Sequence, residues 1–197
     1  MLMADIQQTQ PDLVFAAYSG AQATDFVRAY AHAGLSARIP LLGSGFLTDE
    51  SLLSHQGDVA LGIKTALPWA RTLDLPANQA FTNAFQNFSG RPADPFAVLG
   101  YDTARLISTA ASSAGDTEQL RGALAGTAFD SPRGMVQMDK TLLEINTPLY
   151  LREVRAGAGG LSNIVIGKLP ALPTNNAEIA ALRASTKTGW SNAYLYV

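Results

Sequence analysis

The sequence contains no cysteine and only two histidines among its 197 residues. The lack of cysteine excludes disulfides, thiolate metal sites and cysteine nucleophiles. His32 falls late on a predicted amphipathic helix and His55 at a helix end, positions typical of surface or packing residues. The sequence also has no G-x-S-x-G elbow, metal-ligand spacing, P-loop or dinucleotide fingerprint. Catalysis has no positive support, and we expect a binding protein with no cofactor and no metal.

Charge and long apolar runs are also scarce. Charged residues make up 15% of the chain, the net charge is −2, and no run of like charges occurs. A nucleic-acid partner usually leaves a basic footprint, so this balance argues against one. The apolar runs are too short to cross a bilayer, and the N-terminal MLMADIQQTQPD lacks the pattern of a secretion signal. The chain does contain 47% hydrophobic residues, enough for the core of one medium domain or two small lobes.

The most informative stretch is Pro11–Gly34, which predicts a strand, a polar turn and a helix. The continuous apolar run Leu13–Ala17 is typical of a strand buried on both faces of a mostly parallel sheet. The turn Tyr18–Gly20 leads into a helix N-terminus, where unpaired N–H groups and a partial positive charge can hold a small ligand. Ser19 can cap this helix, and Gly20 allows another group to approach the backbone closely.

The remaining elements predict an α/β protein with an antiparallel meander at its end. The first strands are predicted at Leu13–Ala17, Ile39–Gly43 and Val59–Ala66, the helices over Glu50–His55, Ala77–Phe88, Phe96–Ala114 and Glu118–Ala125, and the meander strands at Gly134–Asp139, Thr147–Arg155 and Leu161–Gly167. Phe96–Ala114 is mostly apolar, so we expect this helix to be nearly enclosed. Beyond Pro170, one short helix is predicted near Glu178–Ala184.

Polar and aromatic side chains gather in loops that follow strands or at helix starts. They are Tyr18, Ser19, Gln22, Ser44, Thr48, Trp69, Tyr101 and Asp102. A concave site of a few aromatics and backbone N–H groups suits a small carboxylate-bearing molecule. Simpler roles stay open: Ser19 and Thr48 as helix caps, Tyr101 as a packing residue, Trp69 as a lid or filler. Asp49 and Glu50 point in different directions, and helix capping accounts for Asp49 better than acid–base work does.

Five motifs follow one another along the chain: AYSGAQA, IPLLGSGFLTDE, GDVALGIKTALPW, FQNFSGRPADPFAVLGYDTARL and SPRGMVQMD. Their order resembles the branched-chain amino acid type of periplasmic solute-binding protein, the receptors of ABC importers with the type I fold. The last two motifs together are quite specific. The similarity runs from about residue 4 to 168 and covers the C-terminal half of such a receptor.

The resemblance implies a partial type I binding-protein fold, in the periplasm of its parent and with ABC permease subunits as partners. It implies a second-lobe segment at 4–75, helices crossing back to the first lobe at 76–125, hinge-proximal and first-lobe strands at 126–170, and a tail at 171–197, with the N-terminal lobe absent. An incomplete sheet exposes edges and apolar faces, so we also expect self-association.

The resemblance also implies a set of ligand-binding residues. They are Tyr18, Ser19, Gly20, Gln22, Ser44, Phe46, Trp69 and Tyr101. The loop Gly43–Phe46 matches the place where amino-acid binders often carry an acidic residue for the ligand's ammonium group. No acid occurs here before Asp49, which favours an uncharged or aromatic acid with Phe46 and Trp69 as stacking surfaces. Two alternatives stay open: a ligand-sensing receptor domain feeding a regulator, and an α/β hydrolase-like enzyme.

Overall fold

A computed structural model describes residues 2–140, 144–145, 147–157, 159–169, 177–178 and 181. Six α-helices and seven strands lie within these residues: α1 (Leu2–Thr9), β1 (Val14–Ala16), α2 (Gly20–His32), β2 (Leu41–Ser44), α3 (Glu50–Gln56), β3 (Lys64–Leu67), α4 (Pro76–Ser89), α5 (Pro95–Ala111), α6 (Thr117–Leu124), β4 (Ala128–Ser131), β5 (Gly134–Gln137), β6 (Leu149–Gly157) and β7 (Gly160–Leu169). The predicted tail, with its short helix, falls almost entirely outside the described residues.

The main sheet has five strands in the order β1-β2-β3-β6-β7. The first three are parallel, and β6 and β7 are added antiparallel. The crossovers through α2 and α3 advance in the same direction, and their right-handedness places both helices on one face of the sheet. The main core forms there, where Phe26 and Leu53 from these helices meet Ala16, Leu41 and Ile63. The predicted α/β class is confirmed.

The first strand differs from its prediction, because Phe15 is 65% exposed. Only Ala16 of β1 is fully buried, and it belongs to the core under α2 and α3. The strand is therefore buried on one face of the sheet. The apolar run predicted burial on both faces because Phe15, the side chain on the exposed face, is apolar as well.

The third strand is shorter than predicted. Val59 and Ala60 lie in a 3-10 turn, and strand pairing begins only at Lys64. Gly57 and Gly62 adopt φ values of +68° and +79°, a left-handed backbone that favours glycine and interrupts an extended strand. Ala60 and Ile63 are nevertheless buried in the main core, which produced the apolar pattern.

The predicted three-strand meander is wrong in its pairing. β5 pairs with β4, a strand that the sequence did not reveal, in a separate two-stranded sheet. β6 and β7 form a hairpin closed at Gly157 and Gly160, and β6 extends the main sheet along β3. The division into lobes, with its boundary at 126, stays a prediction.

The longest helix, α5, is not nearly enclosed. Its buried residues are Pro95, Val98, Asp102, Leu106 and Ala110, on one side of the helix. Three large apolar residues of the helix remain exposed: Phe96, Leu99 and Ile107. Two small core clusters, around Trp69 with Phe81 and around Phe129 with Val136, pack against its buried side. Across the described ranges, no helix is long and apolar enough to cross a membrane.

Candidate functional site

The parallel strands β1, β2 and β3 end at one edge of the main sheet. Tyr18 comes two residues after β1, Phe46 two after β2, and Trp69 two after β3. In open α/β sheets, ligands bind outside the carboxyl ends of the strands, where such loops meet. The sequence-predicted aromatic residues are therefore brought to the edge where a ligand site is expected.

The loop after β2 turns tightly because two glycines make room for it. A Cβ on Gly43 would lie 2.3 Å from the Leu47 Cδ2 atom, and a Cβ on Gly45 would lie 2.1 Å from the Leu67 Cδ1 atom. Residues Gly45–Thr48 form a 3-10 turn whose Leu47 is completely buried. The segment Gly43–Gly45 thus has room only for glycine at these two positions, and the turn places Phe46 beside Phe96 at the start of α5.

The loop after β1 leads into α2 at Gly20, whose φ is +57°. Ser19 occupies the N-cap position, but its hydroxyl makes no capping hydrogen bond within the described structure. Tyr18 is half-buried and stacks on Phe26 with ring centroids 4.8 Å apart, while Gln22 is exposed. The predicted capping bond is absent, which leaves the Ser19 hydroxyl and the first N–H groups of the helix open to a ligand.

A cavity of about 220 Å³ lies between the loops after β2 and β3 and the start of α5. Its walls are almost wholly apolar and consist of Phe46, Leu67, Pro68, Trp69, Pro95, Val98, Leu99 and Arg133. Phe46 stacks on Phe96 of α5 with centroids 5.7 Å apart, which holds one wall in place. A dry cavity of about 150 Å³ is enough to bind benzene, so this one can hold an aromatic ring.

Trp69 forms a fixed wall of this cavity. The residue is 1% exposed, packs with Phe81 and Val98, and donates from Nε1 to the Asn78 Oδ1 atom at 2.7 Å. Asn78 in turn donates from Nδ2 to the Leu73 carbonyl oxygen at 2.8 Å. The indole is therefore held by a hydrogen bond and by packing, which argues against the alternative of a movable lid.

The other predicted residues are not part of the cavity wall. Tyr101 is 37% exposed and its ring packs against Phe81 at 5.1 Å. Ser44 is half-buried at the end of β2. The structure brings Phe46 and Trp69 together as walls of one cavity. The other six predicted residues do not line it: Tyr18, Ser19, Gly20, Gln22, Ser44 and Tyr101.

Arg133 contributes to the cavity without giving it a free charge. Its Nε and Nη2 atoms both lie 2.7 Å from the Asp102 Oδ2 atom, and both side chains are buried. Tyr150 donates its hydroxyl to the Arg133 carbonyl oxygen at 3.0 Å. This ion pair joins the two specific motifs, G-Y-D of α5 and S-P-R-G after β4, and leaves the cavity apolar.

The two adjacent acids, Asp49 and Glu50, both turn away from the cavity. Asp49 caps α3 as predicted, its Oδ1 atom accepting from the Ser51 N–H at 2.9 Å. The Glu50 Oε1 atom instead accepts from Asn163 Nδ2 at 3.0 Å and lies 3.7 Å from Arg152 Nη1. Burial raises the pKa of Glu50, while Arg152 and the Asn163 hydrogen bond lower it.

Sequence reasoning missed Arg152, the largest polar side chain in the core. Its side chain is 0% exposed, and it donates from Nη1 to the Trp69 carbonyl oxygen at 3.1 Å and from Nη2 to the Gly45 carbonyl oxygen at 2.8 Å. One signal could have found it: Tyr150, Arg152 and Val154 share the buried face of β6. A charged residue in that alternation indicates a buried partner.

The described residues contain no cluster of three or more metal-ligating side chains. His32 and His55 both lie on the surface. The Nδ1 atom of His55 contacts the hydroxyl of its neighbour Ser54 at 3.4 Å. Neither histidine is near the cavity wall, so the chemistry of this edge is that of apolar contact and backbone hydrogen bonding.

Comparison with known proteins defines the class. A model of a family described as periplasmic binding protein matches residues 2–159. The chain belongs to the periplasmic binding protein family. The predicted family, its type I fold and its partial coverage are confirmed by the family match and by solved structures of ABC-transporter solute-binding proteins.

Particular relatives refine this class. The chain is 34% identical over 148 residues to the Leu/Ile/Val-binding protein homolog 6 of Brucella melitensis, covering 72% of this chain and 38% of the relative. It is 35% identical to an ABC transporter solute binding protein of R. palustris solved with benzoate, with a TM-score of 0.79 and coverage of 88% and 48%. A second R. palustris protein, solved with 4-hydroxybenzoate, is 31% identical with a TM-score of 0.80 and coverage of 87% and 49%. The chain spans less than half the length of these proteins.

Proposed function

We propose that the chain is part of the substrate-binding component of an ABC importer and that it binds a small carboxylate solute. The observation that carries this proposal is the apolar cavity at the carboxyl edge of the parallel strands. The ligand-facing residues proposed are Tyr18, Ser19, Gly20, Gln22, Ser44, Phe46, Trp69 and Tyr101. The protein acts in the periplasm and delivers its solute to membrane permease subunits. We propose no enzymatic role, in keeping with the solute-binding proteins that it resembles.

The ligand class that fits best is an aromatic acid. A planar ring gains apolar contact with Phe46, Trp69 and the other cavity walls, a favourable burial of about 25 cal/mol per Å². An α-ammonium group would need an acidic partner, and Asp49 and Glu50 are both engaged elsewhere. Two relatives at 35% and 31% identity were solved with benzoate and 4-hydroxybenzoate, which supports the same class.

The ligand's carboxylate needs polar partners outside the cavity. The uncapped N-terminus of α2, with the hydroxyl of Ser19, offers backbone N–H groups and a partial positive charge. Closure of two lobes around the solute would complete the site, the hinge mechanism that such receptors use. This chain supplies one wall, so we expect it to bind weakly by itself.

The two tryptophans of the chain allow a direct test. In protein labelled with ¹⁵N-tryptophan, the substitution Trp190→Phe assigns the indole signal of Trp69. We expect 4-hydroxybenzoate and benzoate to shift this signal in the millimolar range, because a ring in the cavity contacts the indole. We expect leucine to leave it unchanged.

Three outcomes would contradict the proposal in different ways. A shift with leucine alone would favour an amino-acid ligand. No shift with any of the three compounds would exclude the cavity as the binding site of this chain. Micromolar binding by the chain alone would contradict the view that a second wall is needed.

A further inference from the structure

The side chain of Arg152 joins the two loops that line the cavity. The loop after β2 carries Phe46, and the loop after β3 carries Pro68 and Trp69. The guanidinium donates to the carbonyl oxygens of Gly45 and Trp69, one in each loop, and to the Thr65 hydroxyl at 3.1 Å. A planar fork of donors can hold two carbonyl groups at fixed positions at once.

A second buried side chain, that of Asn163, holds the end of the loop after β2. Asn163 of β7 donates from Nδ2 to the Thr48 carbonyl oxygen at 2.7 Å and accepts from the Thr48 hydroxyl at 3.1 Å. The same amide nitrogen holds the carboxylate of Glu50 at 3.0 Å. Four acceptors are therefore bound to the buried side chains of Arg152 and Asn163: the carbonyls of Gly45, Thr48 and Trp69 and the carboxylate of Glu50.

These hydrogen bonds remove acceptors for an ammonium group from the cavity. Backbone carbonyls and a carboxylate are the groups that would bind an ammonium ion, and the carbonyls of Gly45, Thr48 and Trp69 and the Glu50 Oε1 atom are paired inward. An ammonium group entering the cavity would not find these four acceptors there and would carry the cost of losing its water. The same pairing leaves the cavity walls apolar.

We propose that Arg152 is a positioning residue that fixes the loops after β2 and β3 and turns their acceptors away from the cavity, so that the site selects acids without an ammonium group. The selectivity part of this proposal rests on the proposed function; the loop-fixing part does not. The two parts therefore need separate measurements.

The first measurement needs no ligand. Arg152→Lys keeps the positive charge near Glu50 but replaces the fork with a point charge that cannot hold both carbonyls. We expect amide hydrogen exchange in residues 45–48 and 69–70 to accelerate about tenfold or more, the effect of losing a charge-assisted hydrogen bond. Exchange in α2 stays as in the unchanged protein.

Arg155→Lys is the matched control. Arg155 lies on the same strand, is 52% exposed and pairs only at the surface with Glu153 at 3.2 Å. We expect this substitution to leave exchange in both loops unchanged. Equal exchange in R152K and R155K would overturn the proposal that Arg152 fixes the loops.

The second measurement is the ratio of affinities for 4-hydroxybenzoate and leucine, obtained by ligand-observed NMR. Because freed carbonyls can accept from an ammonium group, we expect R152K to lower this ratio about tenfold, the size of one hydrogen bond to a charged group. An equal loss of both affinities would overturn the selectivity role and leave only a structural one. If the unchanged protein binds neither compound, the proposed function fails, and the exchange measurement still decides the positioning role.

A third substitution protects the test against misfolding of R152K. Thr65→Val is nearly isosteric and removes the hydroxyl that Arg152 and Thr48 share, while the charges stay in place. We expect changes of the same sign and smaller size in loop exchange and in the affinity ratio. A folded T65V protein with neither change would overturn the proposal.

Discussion

Glu50 is a carboxylate held in an environment that opposes its charge. Its side chain is 4% exposed, and its Oε2 atom has no hydrogen-bond partner among the described residues. Removal from water favours the protonated form, whereas Arg152 and Asn163 favour the ionised one. Burial is the larger effect, so the pKa of Glu50 is raised above its ordinary value of 4.5.

This shift predicts a pH dependence that Glu50→Gln removes. An acid with a raised pKa binds its proton more tightly in the folded chain, so its contribution to stability falls as pH rises from 4.5 through the raised value. We expect the free energy of unfolding of the unchanged protein, relative to E50Q, to decrease with rising pH, by at most about 1.4 kcal/mol per pH unit. Urea unfolding over this range measures it.

The control for this prediction is Glu118→Gln. Glu118 is 80% exposed in a surface pair with Arg121, so its substitution should change the pH profile little. Asp49, the neighbour of Glu50, also interacts with Arg152. It is present in both the unchanged protein and E50Q, so its own contribution to the free energy of unfolding is the same in each. A difference that increases with pH would mean that attraction to Arg152 outweighs the cost of burial.

At the level of elements, the turn after β2 depends on glycine for steric reasons. A Cβ on Gly45 would lie 2.8 Å from the Ala66 carbonyl oxygen as well as against Leu67. A backbone atom cannot move aside without disturbing the pairing of β2 with β3. We expect Gly45→Ala to destabilise the fold by about 1–3 kcal/mol, the usual cost of overpacking, measured by chemical denaturation.

Gly100→Ala is the matched control for this substitution. Gly100 lies inside α5, and a Cβ there would meet no atom within 4 Å. Alanine is the better helix former by about 1 kcal/mol, so G100A should stabilise the protein. Equal stability of G45A and the unchanged protein would show that the turn relaxes and does not depend on the glycine.

These elements also show which features could be predicted from the sequence. The starts of α3, α5 and α6 are the kind of feature that the sequence can predict, because Asp49, Pro95 and Asp116 act within a few residues of themselves. β4, the partner of β5, was missed although it lies only two residues before it, because its four residues AFDS include Asp, which is depleted in strands, and form no clear alternation. At the candidate site, Trp69 was predicted from its position in a loop, and Phe46 from the family resemblance. Arg152 was not, because its partners lie 83 and 107 residues away.

At the scale of the whole molecule, large apolar side chains remain exposed on two surfaces. Phe15 lies on the face of the main sheet opposite α2 and α3, and Phe96, Leu99 and Ile107 are exposed on α5. Contiguous exposed apolar residues usually mark surfaces that another protein surface covers.

We expect the chain to self-associate through these surfaces, with an average mass in light scattering that rises with protein concentration. Ile107→Glu places a charge among the exposed apolar residues of α5 and should weaken association. Phe15→Thr removes the exposed aromatic ring from the sheet and should also weaken association. Asn83→Glu is the control, because it adds the same charge at an exposed position of α4 without removing an apolar group. A monomer at high concentration would contradict the prediction. Equal weakening by N83E and I107E would mean that net charge controls the association and not these apolar surfaces.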